Sequence, residues 1–489
     1  VAVVGTEDRM ALSTHTVFPR AHAAPAPAPA ERVARGEPTE LALRRVWLVR
    51  LGLAAPLLAA LFGFAAHQLR PASFPAPPPE PVVRGDIVAS SGEVLATGPV
   101  EARSYPLGVA GPLVGFTGAV QPDGKYGLEG LEYTLDEVLA AGLDVRLTID
   151  ATYQAAAERH LAEAAAQYGA ESGSAVVLEV GTGRILAAAS YPAFDANDWA
   201  AAGRDQMRNR PFQQTYEPGS VIKPLVVAGL LESGLLRPDE VVDAPMSLRV
   251  GDKTFRDVTY HEPRLSVADV LAYSSNSGTI NLGRRFTPAQ LHDWLMRFGI
   301  GQDLPVAGTY TASGQLNPWY RWVEQDHATN TIGQNHSTTA LQLAVAYSVF
   351  ANDGLYVHPV LIEGAETPPP FRVLSPEVAA TMRGLLNHVT EASGLRNAKV
   401  KGVSIAAKTG TADVFDPELG RYAPGQYSLT VAGMVPAERP RVVIVVTLHK
   451  PQEGATSTVA TGGLFRAIAT DVVASWGAVP RPEALAATP

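Results

Sequence analysis

Five apolar runs of strand length stand in two groups at the two ends of the long C-terminal part of this chain, and nothing else limits its fold so strongly. "SAVVLEVGTGRILAAAS" reads as two strands joined at Gly181 to Gly183. Far downstream, "VSIAAKTGTA", "SLTVAGMVP" and "RVVIVVTLHK" read as three more. The stretch between is mostly helical, as in "TTALQLAVAYSVFAN", and "GGLFRAIATDVVASW" closes the chain as a helix. Strands at both ends with helices between them predict one antiparallel sheet of five strands, completed by the C-terminal segment and flanked by helices, an α+β arrangement. Ahead of the first strand, "TIDATYQAAAERHLAEAAAQYG" predicts a helix with Asp150 as its N-cap and Gly169 as its stop.

The N-terminal part has a different texture. Residues 1–45 contain "AHAAPAPAPAERVARGEPTE", an Ala/Pro tract with no apolar period, which reads as a disordered cytoplasmic tail. Residues 46–68 hold an uninterrupted apolar run from Leu51 to Ala66, extendable to Val46 if Arg50 snorkels, and predict one transmembrane helix. Arg44, Arg45 and Arg50 precede it and only Arg70 follows closely, so the positive-inside rule puts everything after it outside the cytoplasm. A cleaved signal peptide is the competing reading. Residues 69–81, with "RPASFPAPPPEP", form a stiff proline-rich stalk, and 82–143 a small Gly-rich domain too short for a large core of its own. Residues 144–478 are then the main domain and 479–489 a C-terminal tail.

At 489 residues and 46% hydrophobic, the chain can bury one large core with accessories. A net charge of -9 without any basic run gives nucleic acid no footing. Cysteine is absent, which excludes disulfides, thiolate metal sites and cysteine nucleophiles.

Three short motifs carry candidate chemistry. In "TYEPGSVIKPLVVAGLLESG", Ser220 and Lys223 lie three apart where an apolar helix is predicted to begin, so they share a face. A serine hydroxyl becomes a nucleophile when a neighbour takes its proton, and a lysine can do so once burial or a second cation lowers its pKa. Of the seven lysines only Lys223 has a serine three residues before it. "LAYSSNSGTINLG" offers Ser274 as a proton relay and Asn276 to orient Lys223 and a substrate amide. "AAKTGTAD" places Lys408, Thr409, Gly410 and Thr411 on a strand. There Gly410 admits a close approach, Lys408 and the threonine hydroxyls can grip a carboxylate, and the Thr411 N–H can join that of Ser220 in an oxyanion hole. Each motif alone is more readily an accident of spacing, a cap, a polar loop or a strand end.

As an ordered set they resemble the signature of penicillin-binding proteins and class A β-lactamases. The chain is most similar to a class B penicillin-binding protein of the division-type branch. The likeness extends through "RGDIVASSGEVLA", "GLEGLEYTLDEVLAAGLDVRLTID", "NRPFQQTYEPGSVIKP" and "TIGQNHSTTALQLAVAYSVFANDG". It implies a penicillin-binding transpeptidase domain on a reduced pedestal. Ser220 would be acylated, Lys223 would be the general base, Ser274 and Asn276 the relay pair, and Lys408, Thr409 and Thr411 the carboxylate site. The implied substrates are stem peptides, a D-Ala-D-Ala donor and an amine acceptor, with β-lactams as covalent inhibitors and no cofactor or metal. The implied partners are a SEDS-family glycosyltransferase, other division proteins and the inner membrane. Val221 stands where a threonine is frequent, and "VASSGEVLA" departs from the usual pattern, which bears on the pedestal rather than the chemistry. Competing readings are an elongation-type transpeptidase, a D,D-carboxypeptidase or β-lactamase-like hydrolase, a β-lactam sensor and a silent division scaffold. For the sensor, "HEPRL" at His261 lacks the second histidine of a zinc protease.

Overall fold

In the computed structural model, which describes residues 52, 54–65, 81–416 and 418–477, the five apolar runs build a single antiparallel sheet. Its strands are β1 (Ser172–Glu179), β2 (Ile185–Tyr191), β3 (Ala406–Asp416), β4 (Arg421–Val435) and β5 (Val442–His449). They lie in the order β3-β4-β5-β1-β2, so the two groups meet where β5 runs in register against β1, Val442 opposite Glu179 and His449 opposite Ser172. Every residue of β5 is buried. Successive side chains of a strand point to opposite faces, so an unbroken buried run means that both faces of the sheet are covered.

The covering helices follow from their sequences. Helix α1 (Ala151–Tyr168) packs on β1 and β2. Asp150 caps it by accepting from the Thr152 and Tyr153 N–H groups, and Gly169 ends it in the left-handed conformation, both as predicted. Next come α2 (Lys223–Glu232), α3 (Asn276–Gly283), α4 (Ala340–Ala351), α5 (Pro376–Ala392) and α6 (Gly462–Ser475). Helix α4 is apolar almost all round and buried at every position, which suits a helix inside the core, against β1, β4 and β5. A reciprocal cap between Thr339 and Gln342 starts it. Helix α6 packs on α1.

Residues 81–150 add a small sheet with Ile87–Val88 between Val94–Ala96 and Val145–Arg146. A buried ionic network ties this part together: Arg84 donates to Glu132 at 2.5 Å and to Asp136 at 2.8 Å, and Arg103 to Glu132 at 2.7 Å. Two guanidinium groups against two carboxylates leave no net buried charge, which is what makes their burial tolerable. The apolar side chains here, Ile87, Leu113 and Leu131 among them, belong to the same continuous core as the sheet, and the described residues from 81 onward form one compact unit.

Among the described residues no helix is long and apolar enough to cross a membrane. Of the expected span 46–68, only 52 and 54–65 are described, and these are helical. The rest of that span, the tail 1–45, residues 69–80 of the stalk and the tail 479–489 lie outside the described residues.

Candidate active site

The site begins with a backbone contact. Gly219 has φ +63°, and its N–H donates to the Gly333 carbonyl at 2.8 Å. A Cβ at Gly219 would stand 2.5 Å from the Thr411 carbonyl oxygen, and one at Gly410 would stand 2.4 Å from that of Pro218. Glycine at both places therefore lets the turn carrying Ser220 lie directly on β3. The close approach allowed by Gly410 is that of Pro218. Ser220 belongs to a 3₁₀ turn, Gly219–Ile222, and the α-helix expected to begin near it starts at Lys223. A 3₁₀ turn has three residues per turn, so the serine and lysine still share a side. Pro224 falls in the first turn of α2, where its missing N–H costs nothing.

The fully buried Lys223 directs its amine at the second motif, donating to the Ser274 carbonyl at 2.6 Å, to Asn276 Oδ1 at 2.8 Å and to Ser274 Oγ at 3.3 Å. None of these bonds goes to Ser220. From β3 the buried Lys408 donates to the same Ser274 Oγ at 3.0 Å, to the Thr409 carbonyl at 3.2 Å and to Thr409 Oγ1 at 3.4 Å. Two lysines thus meet at one hydroxyl, which can accept from both. Burial holds Lys223 well below the ordinary lysine value, the charge of Lys408 pushes it the same way, and Asp257 opposes them. Burial alone brings Lys408 down to about 7. Thr411 is exposed and donates its hydroxyl to Ser457 Oγ at 3.1 Å. All eight candidate residues, Ser220, Lys223, Ser274, Asn276, Lys408, Thr409, Gly410 and Thr411, are therefore drawn to the junction of β3, the start of α2 and the turn before α3.

Ser274 sits at φ +56°, a left-handed conformation that costs an L residue about 1–3 kcal/mol and recurs at functional turns. Asn276 is fixed at both ends of its amide: Oδ1 accepts from Lys223 and Nδ2 donates to the Arg256 carbonyl at 2.9 Å. Behind this turn lies Asp257, which sequence reasoning missed. Its carboxylate accepts from the Asn276 N–H at 2.5 Å, the Ser275 hydroxyl at 2.6 Å, the Ser277 hydroxyl at 2.8 Å and the Ser277 N–H at 3.2 Å. The only available signal was the spacing to His261, whose Nε2 stands 2.9 Å from Asp257 Oδ2. Glu217 was missed too. It accepts from the Asn335 N–H at 3.0 Å and the Tyr422 hydroxyl at 2.9 Å, bracing the segment ahead of Ser220, and burial pushes its carboxyl up.

A half-buried serine three residues before a fully buried lysine, on a turn laid against a sheet-edge strand that carries a second buried lysine, supplies what a serine acyl-transfer site needs. The family model described as penicillin binding protein transpeptidase domain matches residues 173–470. The chain belongs to the penicillin-binding protein transpeptidase family, and the resemblance to its class B, division-type members is borne out by the relatives. The penicillin-binding protein PbpB of Mycolicibacterium smegmatis is 34% identical over 418 residues, which cover 75% of this chain and 64% of that protein. The probable peptidoglycan D,D-transpeptidase PenA of Neisseria flavescens is 34% identical over 343 residues, 70% of this chain and 85% of that one. A crystal structure of penicillin binding protein 3 from Mycobacterium tuberculosis, complexed with aztreonam, superposes with a TM-score of 0.74 at 32% identity, covering 82% of this chain and 98% of that one. The chain thus spans less than two thirds of the mycobacterial relative's length.

Proposed function

We propose that this protein is a peptidoglycan D,D-transpeptidase that cross-links stem peptides through an acyl-enzyme on Ser220, serves septal wall synthesis and is a target of penicillins. The observation that carries this reading is the convergence of Lys223 and Lys408 on Ser274 Oγ, at 3.3 and 3.0 Å, beside the turn that presents Ser220 to β3.

In the first half-reaction Lys223, in its neutral form, takes the Ser220 proton. The serine Oγ then bonds to the carbonyl carbon of the penultimate D-alanine. The N–H groups of Ser220 and Thr411 hold the developing oxyanion, and Lys408 with the hydroxyls of Thr409 and Thr411 holds the terminal carboxylate. The C–N bond breaks as Lys223 returns the proton, relayed by Ser274 Oγ, to the leaving D-alanine nitrogen. In the second half an amine of a neighbouring stem attacks the ester and Ser220 recovers its proton. A β-lactam enters the same first step, but its leaving nitrogen stays tethered, so the ester persists.

On this reading residues 46–68 anchor the enzyme in the inner membrane, the stalk 69–81 spaces it outward, and 82–143 offers the surface on which a SEDS-family glycosyltransferase and other division proteins dock. The catalytic domain then faces the periplasmic side. The name PbpB and the aztreonam complex of the mycobacterial structure support the penicillin-target assignment.

The test is to incubate the protein with a labelled penicillin, beside Ser220→Ala, and to map the adduct by peptide mass. A stable adduct on Ser220, absent from the variant, is the expected result. Rapid loss of the adduct would turn the assignment to a hydrolase, and no adduct on folded protein would turn it to a scaffold.

A further inference from the structure

Ser274 and Asn276 do their work only if the turn bearing them is held in place, and the residues that hold it lie outside all three motifs. The Ser274 backbone is in the left-handed region, and the N–H groups that follow, of Asn276 and Ser277, both point into the carboxylate of Asp257 at 2.5 and 3.2 Å. The hydroxyls of Ser275 and Ser277 add bonds of 2.6 and 2.8 Å to Asp257 Oδ2. Ser275 Oγ in turn accepts from the Gly278 N–H at 2.9 Å, which caps α3. Next to Asp257, Arg256 takes the Asn276 side-chain N–H through its carbonyl. Main chain and side chain of Asn276 are thus both set from the 256–257 segment.

His261 completes the arrangement. Its ring is buried, with Nε2 2.9 Å from Asp257 Oδ2 and Nδ1 2.8 Å from the Glu262 carbonyl oxygen. Both oxygens are acceptors, so the ring donates to Asp257 or to the Glu262 carbonyl, and the Tyr273 ring lies 5.6 Å away.

We propose that Asp257, backed by His261, is a positioning residue for the acylation step: it fixes Ser274 and Asn276 where Lys223 meets them, and its charge acts on Lys223 from behind the turn. The inference rests on the reading of Lys223 as the base for Ser220. The charged groups that face Lys223 are Lys408 and Asp257, of opposite sign and opposite effect. Burial alone would push the Asp257 carboxyl up, but the bonds from Ser275, Ser277 and His261 outweigh it and hold the carboxyl below its ordinary value. It therefore stays ionised wherever the enzyme works.

An Asp257 that merely caps α3 would affect stability and the size of the rate. A carboxylate that also acts on Lys223 moves the acidic limb of the pH profile when its charge is removed, whereas exchanging the ring that backs it leaves that charge in place. Acylation by a fluorescent penicillin is to be followed from about pH 5.5 to about pH 9.5 for the wild type, Asp257→Asn and His261→Gln. Asp257→Asn removes the charge that favours protonated Lys223 and turns an amide N–H₂ against donors. Its rate should fall at least about tenfold and its acidic limb should move to lower pH. His261→Gln keeps the carboxylate, so its rate should fall less and its limb should stay near that of the wild type. If Asp257→Asn does not fold, Asp257→Ser is read for the same shift to lower pH. An Asp257 variant whose limb stays in place or moves to higher pH overturns the proposal. A wild type that forms no Ser220 adduct removes the proposed function itself, whereas normal wild-type acylation with an unmoved limb in the Asp257 variant removes only this inference.

Discussion

Two ammonium groups that share one serine hydroxyl inside a folded protein stay there at the expense of their own charge. For Lys408, whose ordinary value of 10.5 falls to about 7, the window between those two values is where the unfolded chain binds a proton that the folded one does not. Stability therefore rises with pH across that window, by up to about 1.4 kcal/mol per pH unit for each such lysine. Lys223, displaced in the same direction, adds to the slope. Urea unfolding of the wild type should show a midpoint that climbs from about pH 7 to about pH 9.5, and Lys408→Met should lose a good part of that climb. Equal slopes in both proteins would mean that Lys408 keeps its charge when folded. At this scale the sequence showed the two lysines, because they stand in short motifs and lysine is scarce. Asp257 and Glu217 were not legible, since an acidic residue in a loop looks the same whether it faces water or, as Asp257 does, accepts two backbone N–H groups and two hydroxyls.

Between elements, the feature that sets the chemistry is the contact of the Pro218–Gly219 turn with β3. Gly219→Ala would place a methyl 2.5 Å from the Thr411 carbonyl oxygen, at a φ of +63° that alanine adopts reluctantly. The turn must then withdraw from the strand, taking Ser220 with it. Acylation by penicillin should fall by about a hundredfold, while circular dichroism stays that of the folded protein, because the strain is confined to one turn. A rate within a factor of about two of the wild type would show that the turn tolerates the displacement. The sequence foretold the strands and the helix caps here, Asp150 and Gly169 in particular, since these obey local rules. It misjudged the start of α2 by one turn. The 3₁₀ geometry at Gly219–Ile222 is imposed by the strand the turn leans on, and that strand lies far along the chain.

For the molecule as a whole, the question is whether residues 81–150 are a passenger or part of the fold. Their apolar side chains are continuous with the main core, and their charged network is buried. Arg84→Ala would strip Asp136 of its Arg84 partner and leave Glu132 with Arg103 alone, at a cost of about 3–5 kcal/mol. Because the core is shared, urea should unfold this variant in a single earlier transition, in which tryptophan fluorescence and penicillin labelling are lost together. Two separated transitions would show that the part folds independently. The shortness of 82–143 had already indicated too little chain for a large core of its own, but not which core it joins. The order of the sheet carries a further consequence, in time rather than in space. Its middle strand, β5, is its last in the chain, and Ser174 must wait for Thr447, 273 residues further on, before the two can bond. At a synthesis rate of about 5–20 residues per second, the β1–β2 hairpin stands unpaired for roughly ten to fifty seconds. Only when Val442–His449 slips between the two halves does one sheet exist, so this is a protein whose folding must be slow and whose newborn chain needs shelter until its final strand arrives.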